Sequence, residues 1–258
     1  MVRSYLNPKA TEAFEKIVSF PETIPFRFDY GGKTYSGFHA EELTFLEKNR
    51  EAKDGRKTVV LKYALSDGVK ITAFVSHYET HGATEITVWF ENDTEHESGI
   101  IENTGVSLAF TGENVRVTGS LGDHENFYKP YDIPLDENGV RFSSDSGRAT
   151  HVYFPYFNMK WLGGGALFAI GWAGTWHAEF EKSSGGCICT AGSVNNLRTV
   201  LKPGERIRTA LFVWIPYEDK WPQYDINLWR DWYVMWNLPK ADKDGSSLSN
   251  LNAFSLKS

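Results

Sequence analysis

The residues best suited to hold a polar organic ligand lie in one run, Gly163-Gly164-Gly165-Ala166-Leu167-Phe168-Ala169-Ile170-Gly171-Trp172-Ala173-Gly174-Thr175-Trp176. A flat indole can lie against the apolar C–H side of a pyranose ring, and glycine lets backbone approach closely. The glycines do not make a phosphate-binding loop, because no helix with a Lys-Ser/Thr pair follows them. The plain reading of the same residues is a hairpin with Trp172 and Trp176 in the core.

Other groups compete for a chemical role. Asp123, Glu125 and Asp132 sit among Phe127, Tyr128 and Tyr131. Glycoside hydrolysis needs two carboxyl groups about 5–5.5 Å apart for retention and about 6.5–9.5 Å for inversion. With 33 acidic residues in the chain some pair always looks suitable, so this cluster reads as a solvated loop. His77, Glu79 and His81 share a face if the segment is extended. The spacing is not the helical pair of histidines one turn apart, so a polar exposed strand end is expected there and no metal site. Cys187 and Cys189 have no further Cys or His nearby and read as structural thiols. The segment His151-Val152-Tyr153-Phe154 resembles a stretch of the aldose 1-epimerases, which are large β-sandwiches, although Thr150 stands where that pattern has Asn. It makes His151 a candidate acid or base for mutarotation.

The elements that must position these residues are mostly strands. Only Lys9 to Ser19 has helical spacing at the start, with Ala10, Ala13, Phe14, Ile17 and Val18 on one side and Pro21 as a stop. Residues 25–30 and 33–38 alternate about Gly31-Gly32, a hairpin signal. Further strands are predicted at 59–65, 69–78, 85–91, 107–110, 115–118, 166–172, 176–181, 187–191 and 206–216. No strand is followed by an amphipathic helix of crossover length, so a parallel α/β sheet is excluded. Residues 224–238 read as a helix with Asp225 as N-cap and Pro239 as stop, carrying Trp229, Trp232, Tyr233 and Trp236 as one aromatic stripe expected to pack on the sandwich. One large antiparallel sandwich over residues 1–239, followed by a polar linker or tail at 240–258, accounts for the pattern.

Composition narrows the partners. A net charge of −6 argues against a nucleic acid surface, and no run of 18 apolar residues suggests a membrane span. The N-terminus has no apolar signal-peptide core, and two lone cysteines fit a reducing cytoplasm. No cofactor or metal is called for. Aromatic residues make up 15% of the chain, including 9 Trp, which suits both a core and a sugar platform.

A family resemblance rests on several motifs in order. They are Pro155-Tyr156-Phe157, the glycine-rich run at 163–166, and Ala169-Ile170-Gly171-Trp172-Ala173-Gly174-Thr175-Trp176. Ala191-Gly192, Leu201 to Thr209, Asn227-Leu228-Trp229-Arg230 and Asn237-Leu238-Pro239 continue the series. Together they resemble the N-terminal domain of glycoside hydrolase family 36, the α-galactosidases, with Asp231 and Trp236 departing from its pattern. The resemblance implies an all-β, galactose mutarotase-like β-supersandwich with short flanking helices, ahead of a (β/α)₈ barrel that cleaves terminal α-galactosides with retention. The nucleophile and acid/base of that family are barrel carboxylates, so no catalytic residue carries over to this chain. Trp172, Trp176, Trp161, Trp229 and Arg230 become candidate contacts to carbohydrate or to the barrel. The expected role is a non-catalytic domain that packs on the barrel, shapes its substrate mouth, meets an α-galactoside or oligosaccharide and helps to form a homo-oligomer. A free-standing carbohydrate-binding module and an epimerase-like enzyme using His151 are the alternatives.

Overall fold

In the computed structural model, which describes residues 5–125, 127–193 and 197–238, helix α1 (Pro8–Ser19) starts where a capping residue precedes a proline. The Asn7 side chain accepts the Ala10 N–H at 3.2 Å and donates to the Pro216 carbonyl at 2.8 Å. One stripe, Ala10, Phe14 and Val18, is buried at a spacing of four.

Strands follow. The hairpin of β1 (Phe26–Tyr30) and β2 (Lys33–Ser36) turns at Gly31 and Gly32, whose φ of 57° and 84° suit residues without a Cβ. A meander of β3 (Thr44–Lys53), β4 (Arg56–Ala64), β5 (Lys70–Tyr78) and β6 (Ala83–Glu91) comes next. Then come β7 (Ile101–Thr111), β8 (Arg116–Leu121), β9 (Pro130–Pro134), β10 (Val140–Ser144) and β11 (Tyr153–Trp161). The glycine-rich run supplies β12 (Gly164–Gly171), and β13 (Trp176–Ser183) and β14 (Gly186–Gly192) lie beyond it. Short β15 (Arg198–Thr199) and β16 (Arg206–Arg208) lead to β17 (Leu211–Glu218).

Among the described residues these strands make two antiparallel sheets. One has seven strands in the order β10-β13-β14-β7-β1-β2, with β15 also on β7. The other has ten, β3-β4-β5-β6-β17-β12-β11-β8-β9, with β16 also on β6. The architecture is the all-β sandwich expected from the alternation, and its core lies between the two sheets. Phe157, Phe168 and Met159 from the larger sheet meet Trp176, Phe142 and Phe180 from the smaller one. Each such ring taken out of water contributes about 1.5–3 kcal/mol before entropy is counted.

The sequence expectations are corrected at four places. Strand β12 belongs to the larger sheet and β13 to the smaller, so Trp172–Thr175 is a crossover between sheets and not a hairpin turn. The single strand expected at 206–216 is two, because Thr209 breaks the ladder and accepts the Val88 N–H on its hydroxyl at 3.1 Å. His77 and His81 are buried, not a polar exposed face. His77 stacks on Phe14 and its two ring nitrogens meet the hydroxyls of Thr11 and Thr84, each at 3.0 Å. Burial pushes its pKa down to about 4, so the ring is neutral near pH 7.

The fourth correction concerns the second of the two compact units into which the chain divides, Met1–Asp219 and Lys220–Ser258. Helix α2 (Tyr224–Trp236) is capped by Gln223 in the left-handed region, not by Asp225. Its buried residues are Tyr224, Asp225, Leu228 and Trp232, whereas Tyr233 is exposed, so the four aromatics do not form one buried stripe. Pro239 and the expected linker at 240–258 lie outside the described residues. No helix among them is long and apolar enough to cross a membrane.

Candidate functional site

The crossover from β12 to β13 builds one wall of a cleft of about 440 Å³ at an end of the sandwich. Trp172 begins the crossover and Trp176 ends it. Their fates differ. Trp172 keeps 37% of its surface exposed, whereas Trp176 keeps none and donates its indole N–H to the Ala149 carbonyl at 2.7 Å. Trp176 is therefore a floor beneath the cleft, and Trp172 is its accessible aromatic face.

Another part of the lining is β16 with the Thr209-Ala210 break, and Thr104 of β7, Gly192 at the end of β14, Ser193 just beyond it and Thr199 of β15 complete it. Alternation along β16 turns Ile207 toward the core and leaves Arg206 and Arg208 exposed. Arg206 lies over Trp89 and faces Glu91 at 3.8 Å. Arg208 lies over Trp172, 5.7 Å from the ring centroid. The hydroxyls here already spend their protons within the protein. Ser193 donates to the Thr104 carbonyl at 3.1 Å, Thr199 to that of Val200 at 3.3 Å, and Thr209 to that of Ala210 at 3.0 Å. The Thr199 oxygen remains an acceptor for a ligand's own O–H groups, whereas that of buried Thr209 already accepts the Val88 N–H and that of Ser193 meets the Thr104 hydroxyl at 2.8 Å.

The other candidates lie elsewhere. Trp161 is half-buried over Gly112, where a Cβ would meet the indole at 2.4 Å, and it does not line the cleft. Trp229 and Arg230 belong to the second unit, where Trp229 packs on the rings of Trp232 and Tyr233 and Arg230 is exposed. His151 stacks on His124 with centroids 4.4 Å apart and bonds Arg148, which faces Asp123 at 3.5 Å. Asp132 pairs with Arg116 at 2.7 Å. Among the described residues no cluster of His, Cys, Asp and Glu is arranged to hold a metal ion.

Sequence reasoning missed Arg208 and the hydroxyl rim. The signal was present in Arg206-Ile207-Arg208, where two cations flank one apolar residue on a strand.

No family model matches the chain, and no curated protein matches it. Its fold does match solved structures. A GH36 α-galactosidase AgaA variant from Geobacillus stearothermophilus, in complex with stachyose, aligns over 85% of this chain with a TM-score of 0.65 and 15% identity. The α-galactosidase from Lactobacillus brevis aligns over 75% with a TM-score of 0.58 and 13% identity. The galactosidase domain of the α-galactosidase-sucrose kinase AgaSK aligns over 76% with a TM-score of 0.59 and 16% identity. The match occupies 33%, 29% and 30% of those chains, so this chain spans about a third of their length. What they share with it is the fold.

Proposed function

We propose that this chain is the β-sandwich domain of an α-galactosidase-like retaining glycoside hydrolase, packing on a catalytic barrel and shaping its substrate mouth. The observation that carries the reading is the fold match, which takes in 85% of this chain and only a third of an enzyme in complex with stachyose. The ordered sequence motifs that resemble the same family support it too.

The cleft chemistry agrees. Retaining hydrolysis needs a carboxylate nucleophile and a carboxylic acid about 5–5.5 Å apart. The described lining of the Trp172 cleft holds an indole, an arginine and hydroxyls but no carboxylate. Such a surface suits the binding and orienting of a sugar.

The test is an aryl α-galactoside assay on the purified chain, with binding of methyl α-galactopyranoside followed by Trp fluorescence in the same preparation. The expected result is no turnover, with a spectral response that Trp172→Ala removes. Turnover that survives purification and disappears when an acidic residue of this chain is substituted would overturn the reading. The sugar response also supports a second reading, a binding module that acts without a barrel.

A further inference from the structure

The cleft at Trp172 carries one more feature, its charge. Of the described residues that line it, Arg208 is the only charged one. The neighbouring arginines are neutralised: Arg198 pairs with Glu102 at 3.1 Å, and Arg206 with Glu91 at 3.8 Å. Arg208 has the Trp172 face beneath it and, among the described residues, no carboxylate beside it. In a chain of net charge −6 this is a local positive pole at the mouth of a ligand-sized cavity.

The geometry gives that charge a direction. Arg208 is exposed and its guanidinium lies 5.7 Å from the Trp172 ring centroid, so its N–H groups can reach a ligand in the cleft, and a guanidinium can donate two parallel bonds to one partner. The fork matches a carboxylate better than it matches lone hydroxyls, because the charge-assisted pair is bidentate. The rim hydroxyl of Thr199 offers an acceptor to a sugar's O–H groups. The indole of Trp172 offers a platform for its C–H face.

We propose that the Trp172–Arg208 cleft binds an acidic pyranose, a hexuronate residue of a saccharide, with its carboxylate on Arg208 and its ring on Trp172. The proposal rests on the reading above that this domain handles carbohydrate, and it narrows the ligand from sugar in general to a carboxylated one.

Titration calorimetry on the whole chain tests it, with methyl α-galacturonide and methyl α-galactopyranoside as the two probes. The uronide is expected to bind roughly tenfold more tightly, the worth of one charge-assisted pair. That preference should shrink as NaCl rises from about 20 mM to about 300 mM. Arg208→Gln should remove the preference, and Arg208→Lys should retain part of it. Arg206→Gln, which alters an arginine already paired with Glu91, should leave it intact. Trp172→Ala should abolish both affinities, and an unchanged thermal midpoint verifies the fold of each variant. Equal affinity for the two probes, or a preference that persists in Arg208→Gln, overturns the acidic-sugar assignment and leaves the carbohydrate reading standing. Saturation by neither probe overturns the cleft as a sugar site, while the non-catalytic reading still answers to the hydrolysis assay.

Discussion

Trp172 and Trp176 stand four residues apart, and the crossover between them separates their roles. Trp176 opens β13, where alternation sends it into the core beside Phe157, while Trp172 remains on the crossover with no strand to fix its side. Replacing Trp176 by Ala should cost about 3–5 kcal/mol, because it leaves a cavity the size of an indole and strips the Ala149 carbonyl of its donor. Trp172→Ala should cost below about 1 kcal/mol, since much of its ring is already in water. Urea unfolding of the two variants reads the contrast, and equal losses would show that both rings are structural. The sequence marked both residues through their type and their glycine neighbours. It could not rank them, because burial here depends on which sheet each flanking strand joins. Arg208 was illegible for a related reason: its role comes from Trp172, 36 residues away in the chain and lining the same cleft.

At the scale of elements, α1 is pinned to the larger sheet by polar contacts at Asn7 and at His77. Asn7→Ala removes both the cap on Ala10 and the bond to the Pro216 carbonyl, and should lower stability by about 1–2 kcal/mol. A loss within error in thermal unfolding would mean that packing of Phe14 alone holds the helix. His77 adds a pH dependence. Burial is the main cause of its lowered pKa; the Lys57 charge adds to it, and Glu79 and Glu15 oppose it. Because the folded pKa of about 4 lies below the ordinary 6.5, the unfolded chain takes up the proton first as pH falls. The stability held by neutral His77 is therefore whole above about pH 6.5 and is lost progressively down to about pH 4. Between pH 7 and pH 5 the loss should be about 2 kcal/mol. His77→Gln should flatten that part of the curve, and an unchanged slope in the variant would assign it to other groups. Most strands were legible, and those that were not have physical reasons. Strand β3 reads Thr-Phe-Leu-Glu-Lys-Asn-Arg-Glu-Ala-Lys, a charged and largely exposed edge whose polarity hides its alternation and blocks further pairing. Strand β11 contains Pro155, and its ladder to β8 shifts register between Tyr153 and Phe157, which accommodates a residue that cannot donate.

For the whole molecule, the seven-stranded sheet carries a built-in reporter of global opening. Cys187 and Cys189 sit two apart on β14, on its core face, and both are fully buried. Burial pushes the Cys187 thiol up to about 11 and raises Cys189 as well, so neither is a reactive thiolate near neutral pH. Strand β14 lies between β13 and β7, with ladders of seven paired residues on each side, so it has no free edge from which to fray. Exposing either sulfur requires the two sheets to part, and parting them opens the core that includes Phe180 and Trp176. A thiol reagent should therefore modify neither cysteine in the native chain and both in denaturant. Under native conditions the two should react at one shared rate, and mutations should scale that rate with their effect on unfolding free energy where reclosing outpaces modification. Trp176→Ala should accelerate both cysteines together by the factor its stability loss dictates. A single cysteine that reacts early, with the other still protected, would show that β14 opens from one end and that the sandwich does not unfold as one cooperative body.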